Sequence, residues 1–146
     1  MTVCLNGEEV AKKIGDNFPD SIAIADKETI IVESESLYQV AEFLKNDPNY
    51  KFDYLANLVA VDFMECFEVV YNLVSIEHNH SITLKTRCYD RDDPTLPSVV
   101  SLWRTADYQE REIYDLFGIT FTGHPNLKRL FLWDGFPGYP LRRDYL

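Results

Sequence analysis

Glu110, Arg111, Glu112 and Asp115 fall within six consecutive positions, and carboxylates so close to a guanidinium can serve acid–base chemistry or fixed ion pairing. On a helix Arg111 and Asp115, four apart, share one face, as do Glu110 and Tyr114. Glu110 and Glu112 point about 200° apart around such a helix and cannot flank one bond, so a paired acid and base is disfavoured and ion pairing is the plain reading. Arg111 is either a solvated surface charge or a fixed bidentate donor to a carboxylate, and its spacing alone favours the solvated charge. His78 and His80 lie two apart at a strand end and face one side, which a metal could use, but a third ligand is missing locally. An exposed hairpin end around His78–Ser81 is the simpler reading. His124, between Gly123 and Pro125, suits a turn-locked hydrogen-bond donor better than a general base. Phosphate-loop, dinucleotide, nucleophile-elbow and H-E-x-x-H patterns are all absent from the sequence.

The elements that would position these residues are legible from periodicity. Residues 7–18 read as a helix capped by Asn6, with Val10, Ile14 and Phe18 at helical spacing and Pro19 as its stop. Ser21–Ala25 and Thr29–Glu33 suit a hairpin, and Leu37, Val40, Ala41 and Leu44 mark one face of a second helix. Tyr54–Phe63, Phe67–Ile76 and Ile82–Cys88 read as a three-strand meander, in which the apolar Leu55–Met64 run is a buried strand rather than a binding groove. Ser98–Trp103 fits neither period clearly. Thr105–Phe117 reads as a helix with a core stripe of Ile113, Leu116 and Phe117, and Gly118 ends it. The fold class is therefore α+β: a single helix-packed mixed or antiparallel sheet of four to five strands.

That body, residues 1–122, is followed by a segment of another kind. Residues 123–146 hold Gly123, Gly135 and Gly138 with Pro125, Pro137 and Pro140, which excludes a long helix or central strand. Phe131, Trp133, Phe136, Tyr139, Tyr145, Leu141 and Leu146 are a heavy apolar load for such a segment. The chain carries a net charge of −10, made up of −12 on the body and +2 on the segment. An overall acidic chain is unsuited to general nucleic-acid binding. Segment 123–146 thus reads as an extended, partner-docking arm. Cys4, Cys66 and Cys88 are odd in number with no close pair, which suits reduced thiols. No apolar run approaches the roughly 18–20 residues that span a bilayer, and no export signal opens the sequence, so a soluble cytoplasmic chain is expected.

Three blocks in order, E-R-E-I-Y-D-L-F-G-I from Glu110, F-T-G-H-P-N-L-K-R-L from Phe121 and G-Y-P-L-R-R-D-Y from Gly138, resemble the signature of the C, or "30 kDa", subunit family of respiratory complex I. Tyr108-Gln109 and Tyr139 depart from residues common in that family. The resemblance implies a non-catalytic subunit in the peripheral arm of a proton-translocating NADH:quinone oxidoreductase, at the cytoplasmic side of the cell membrane. Of subunits D, B and I, it implies docking on the first, which is hydrogenase-like and carries the quinone site, with the other two nearby. No cofactor is expected on this chain; NADH, FMN, iron–sulfur clusters and quinone belong to the whole complex. Positions carried over as signature or interface are Glu110, Arg111, Glu112, Asp115, Gly118, His124, Pro125, Arg129, Trp133, Leu141, Arg142, Arg143, Asp144 and Tyr145. The same resemblance admits the equivalent subunit of a membrane-bound hydrogenase or of a dehydrogenase using ferredoxin or deazaflavin. The residues alone leave two further readings, a metal-dependent hydrolase using His78, His80 and a carboxylate, and a general adaptor module.

Overall fold

The structure, a computed structural model, describes residues 2–133 and 135–145; Leu146, part of the apolar load of the arm, lies outside the described residues. In chain order the elements are β1 (Val3–Cys4), α1 (Gly7–Asn17), β2 (Ile22–Ala25), β3 (Thr29–Val32), α2 (Leu37–Asn46), β4 (Tyr54–Asp62), β5 (Phe67–Ser75), β6 (His80–Cys88), β7 (Thr95–Pro97), α3 (Ala106–Phe117) and β8 (Thr120–Thr122). A single 3-10 turn at Ser34–Ser36 leads into α2.

Local chemistry explains several of these boundaries. Asn6 Oδ1 accepts the amide of Glu8 and so caps α1, while Asp26 Oδ1 accepts the amides of Glu28 and Thr29 and closes the β2–β3 turn. Gly118, at φ 79°, ends α3 in the left-handed conformation.

The main sheet runs β2-β3-β6-β5-β4, with β1 paired to β6 beyond the end of β3. It is five strands wide, and the two-residue β1 is its sixth member. β4, β5 and β6 form the expected antiparallel meander, whereas β3 joins β6 in parallel, with Ile30 opposite Leu84. The sheet is therefore mixed. A separate two-strand parallel sheet, β7 with β8, lies outside the sequence-based expectation and ties the loop after β6 to the end of α3.

One face of the sheet is the core face, as strand alternation requires. Phe67, Val69, Tyr71 and Leu73 of β5 and Ile82 and Leu84 of β6 are buried together with Val10 and Ile14 of α1, Leu37, Val40 and Leu44 of α2 and Ile113 of α3. Each such apolar side chain contributes about 1.5–3 kcal/mol on leaving water. Among the described residues no helix is long and apolar enough to cross a membrane.

Candidate functional site

Helix α3 and the arm that follows it hold the signature residues, and the helix uses two faces for two tasks. Glu110, Ile113 and Phe117 point into the core. Glu110 is fully buried: its Oε1 accepts the Ser98 hydroxyl at 2.6 Å and its Oε2 the Val99 amide at 2.9 Å. These bonds fasten α3 to the turn that starts at Val99, the stretch without a clear period. Burial pushes the Glu110 carboxyl up to about 7, against the downward pull of those two donors. Glu112, two positions on, is exposed, so the two glutamates do not meet.

Arg111 and Asp115 share the second face, yet they do not pair with each other as their spacing suggests. Arg111 donates to the carbonyls of Lys128 and Arg129 at 3.3 and 3.4 Å, while Asp115 Oδ2 accepts the amides of Leu130, Phe131 and Leu132 at 3.3, 2.7 and 3.2 Å. One turn of helix thus grips a peptide backbone, guanidinium on carbonyls and carboxylate on N–H groups. The Arg111 guanidinium is half-buried and bonded rather than solvated. Asp115 is fully buried, and the Arg129 guanidinium lies 3.5 Å from its Oδ1.

The open end of α3 receives the arm's return. Leu141 donates its amide to the Leu116 carbonyl at 3.0 Å, and Arg142 Nε donates to the Phe117 carbonyl at 2.6 Å. Terminal helix carbonyls that have no partner within the helix are satisfied in this way. The Tyr139 ring and the Arg142 guanidinium pack onto Gly118 so closely that a Cβ there would stand 2.7 Å from the ring. Gly118→Ala is therefore expected to cost about 2 kcal/mol, combining a left-handed alanine with a displaced ring. A denaturant midpoint within experimental error of wild type would contradict this packing.

His124 holds the arm's root. Its Nδ1 accepts the Asn126 amide at 2.9 Å, which leaves Nε2 to donate to the Asp107 carbonyl at 3.2 Å and to lie 3.0 Å from Asp107 Oδ1. The neighbouring Pro125 is exposed.

Two further residues that hold the arm come from the body, and sequence reasoning does not single them out. Asp62, at the end of β4, is buried and accepts both Arg91 Nη1 (2.6 Å) and Nη2 (3.0 Å), the Met64 amide, and the Arg143 amide at 2.8 Å. Arg91 also lies 3.3 Å from Asp144, and the guanidinium groups of Arg91 and Arg142 sit 4.6 and 5.0 Å from the centre of the Phe67 ring. A carboxylate inside the apolar Leu55–Met64 run is the available signal. The last signature residue, Tyr145, rests its ring against Gly138. The arm has the irregular structure its glycines and prolines require, and the body holds it through the side chains of Arg111, Asp115 and Asp62 and through the backbone carbonyls at the end of α3.

Outward, Phe131 and Trp133 are 65% and 67% exposed. The cleft beside the arm's root, about 380 Å³ in volume and lined by Tyr38, Pro97, Val100 and Gly123, holds no carboxylate, histidine or thiol among the described residues. His78 and His80 are also spoken for: their Nε2 atoms lie 2.8 Å from the Pro48 carbonyl and 2.7 Å from the Tyr50 carbonyl. His80 is buried rather than part of an exposed hairpin end, because Phe52 packs against its ring at 4.9 Å. Among the described residues, no three His, Cys, Asp or Glu side chains come together as a metal site. The arm's outer side is a fixed surface that carries exposed aromatic side chains.

The chain is 36% identical over 144 residues to the C 2 subunit of the NADH-quinone oxidoreductase of Rhizobium etli, covering 97% of this chain and 76% of the relative. It is 39% identical to the C subunit of the NADH-quinone oxidoreductase of Chloroherpeton thalassium, covering 94% of this chain and 60% of that relative, so the chain spans only part of its relatives' lengths. A chain in the structure of the membrane-bound sulfane sulfur reductase, an archaeal respiratory membrane complex, superposes with a TM-score of 0.74 at 26% identity, covering 94% of this chain and 84% of that one. Residues 30–146 match the profile of the respiratory-chain NADH dehydrogenase 30 kDa subunit, and the chain belongs to that family.

Proposed function

We propose that this chain is a non-catalytic support subunit in the peripheral arm of a proton-translocating NADH:quinone oxidoreductase, held at the cytoplasmic side of the cell membrane through its partners. It docks on the hydrogenase-like subunit that carries the quinone site, near subunits B and I, and assists electron transfer from NADH to quinone by holding that subunit in place. NADH, FMN, iron–sulfur clusters and quinone sit elsewhere in the complex. The observation that carries this reading is the arm: its backbone is fixed to α3 by Arg111 and Asp115, while its large aromatics Phe131 and Trp133 face outward. Fixed, exposed aromatics beside arginines are the composition of an interface anchor.

Coexpression with subunits D and B followed by gel filtration tests the proposal. Coelution of the three is expected, and separate elution of this chain would overturn it. A second reading, the equivalent subunit of a related membrane-bound respiratory machine, is favoured by the likeness to the sulfane sulfur reductase chain. Neighbouring genes for a flavin- and NADH-binding module separate the two.

A further inference from the structure

The arm's aromatic tip is built differently from a flexible tail. Asp115 gathers the three amides on the tip's incoming side, and Arg129, beside Asp115, donates Nη2 to the Gly138 carbonyl at 3.0 Å on its outgoing side. The same guanidinium lies 4.7 Å from the centre of the Tyr139 ring and 5.7 Å from that of Phe136. One arginine therefore staples residue 129 to residue 138. Trp133 is braced edge-on by Phe136 at 4.7 Å, and among the described residues nothing else shields the outer faces of Phe131 and Trp133.

We propose that Asp115 and Arg129 close residues 129–138 into a preformed loop, and that Phe131 and Trp133 anchor it in an apolar pocket rimmed by carboxylates on a different protein. The inference rests on the docking reading above and names the surface that does it. A loop already closed loses little conformational freedom on binding, so the aromatic contact is not spent on ordering the chain. Charge selects the partner. The arm carries +2 on an otherwise acidic chain, with Lys128 and Arg143 exposed on either side of the tip. A two-fold pair that set arm against arm would oppose like charges, and a pair in which each arm lay on the other copy's acidic body would show as a homodimer in the test below.

Titration of the quinone-site subunit with the purified full chain and its Phe131→Ala, Trp133→Ala and Asp115→Asn variants tests this, together with amide exchange of residues 130–132 in the free chain. Each aromatic truncation is expected to weaken binding at least about tenfold, with a melting transition unchanged because both side chains are exposed. Asp115→Asn is expected to weaken binding similarly and to speed exchange of the three amides, which exchange slowly in wild type. Aromatic variants that bind as tightly as wild type, while wild type binds the quinone-site subunit, would overturn the anchor and leave the docking reading standing. Fast exchange of the three amides in the free wild-type chain would overturn the preformed loop. A wild-type chain that exchanges slowly yet does not bind the quinone-site subunit removes the docking reading, and the anchor with it, but keeps the closed loop. A homodimer abolished by Trp133→Ala would assign the loop to a second copy and contradict the proposal.

Discussion

Asp62→Ala is expected to destabilise the chain by about 3–5 kcal/mol and to free the last turn of the arm. The buried carboxylate takes four hydrogen bonds, two from the Arg91 fork and one each from the Met64 and Arg143 amides. Truncation leaves a guanidinium only 20% exposed without its main partner, together with two amides that have lost their acceptor. Arg91, followed by the Arg143 and Met64 amides, holds the Asp62 carboxyl well below the usual carboxylate range against the opposing effect of burial. A depressed folded-state value means that this stabilisation is full above the unfolded value, near pH 4, and is lost only as pH falls below it. The arm's end should thus remain attached in mild acid. Urea unfolding at neutral pH checks the magnitude, and amide exchange at Arg143 checks the release. A variant within about 1 kcal/mol of wild type would mean that the network is not what holds the arm.

Glu110 has the opposite sign. Its folded value near 7 lies above the unfolded value near 4.5, so the fold prefers the neutral acid. The resulting contribution is complete below pH 4.5 and disappears as pH rises from there to about 7, a swing of roughly 3 kcal/mol. Glu110→Gln removes the titration while keeping one acceptor for Ser98 or Val99. Relative to wild type, the variant should lose about 1 kcal/mol at about pH 5 for the missing acceptor, and should match or exceed wild type at about pH 8. Parallel urea titrations at the two pH values decide the matter, since the difference between the proteins isolates this one group. An equal deficit at both would show that Glu110 stays charged in the fold.

The two carboxylates also mark the boundary of what the sequence discloses. Helices α1 and α2 are legible because their caps and apolar spacing are local: Asn6 and Pro19 bracket one, and Leu37, Val40, Ala41 and Leu44 define the other. The meander is legible because branched residues alternate or run together between short turns. The parallel pairing of β3 with β6 and the small β7–β8 sheet are not, since both join segments distant in the chain and no periodicity encodes which strand will approach.

The same limit applies to the site. The helix stop at Gly118 and the turn at His124–Asn126 are local and their spacing foretells them, whereas the packing of Tyr139 on Gly118 and the bond from His124 to Asp107 are not. The bonded state of Arg111 is hidden because its partners are carbonyls of Lys128 and Arg129, and an i, i+4 rule weighs only side chains on the same helix. Asp62 meets Arg143 across 81 positions. Its signal, a lone acid in an apolar strand, is present but submerged in the strand's hydrophobic pattern. His80 is buried because Phe52 and Tyr50, from the segment before β4, close over it, a tertiary event that a hairpin end does not announce.

The resemblance to the complex I 30 kDa subunit and the physical reading converge on the arm, by separate routes. One names the family, and the other identifies a segment whose backbone is anchored while its tip stays bare. Such tips are where proteases cut first. Limited chymotrypsin digestion of the chain alone and bound to the quinone-site subunit therefore tests the docking claim directly. Cleavage after the exposed Trp133 is predicted in the free chain, with the Phe131 bond spared because Asp115 holds the amides of residues 130–132, and it is suppressed at least about tenfold in the complex, whereas equal cleavage in both would contradict it.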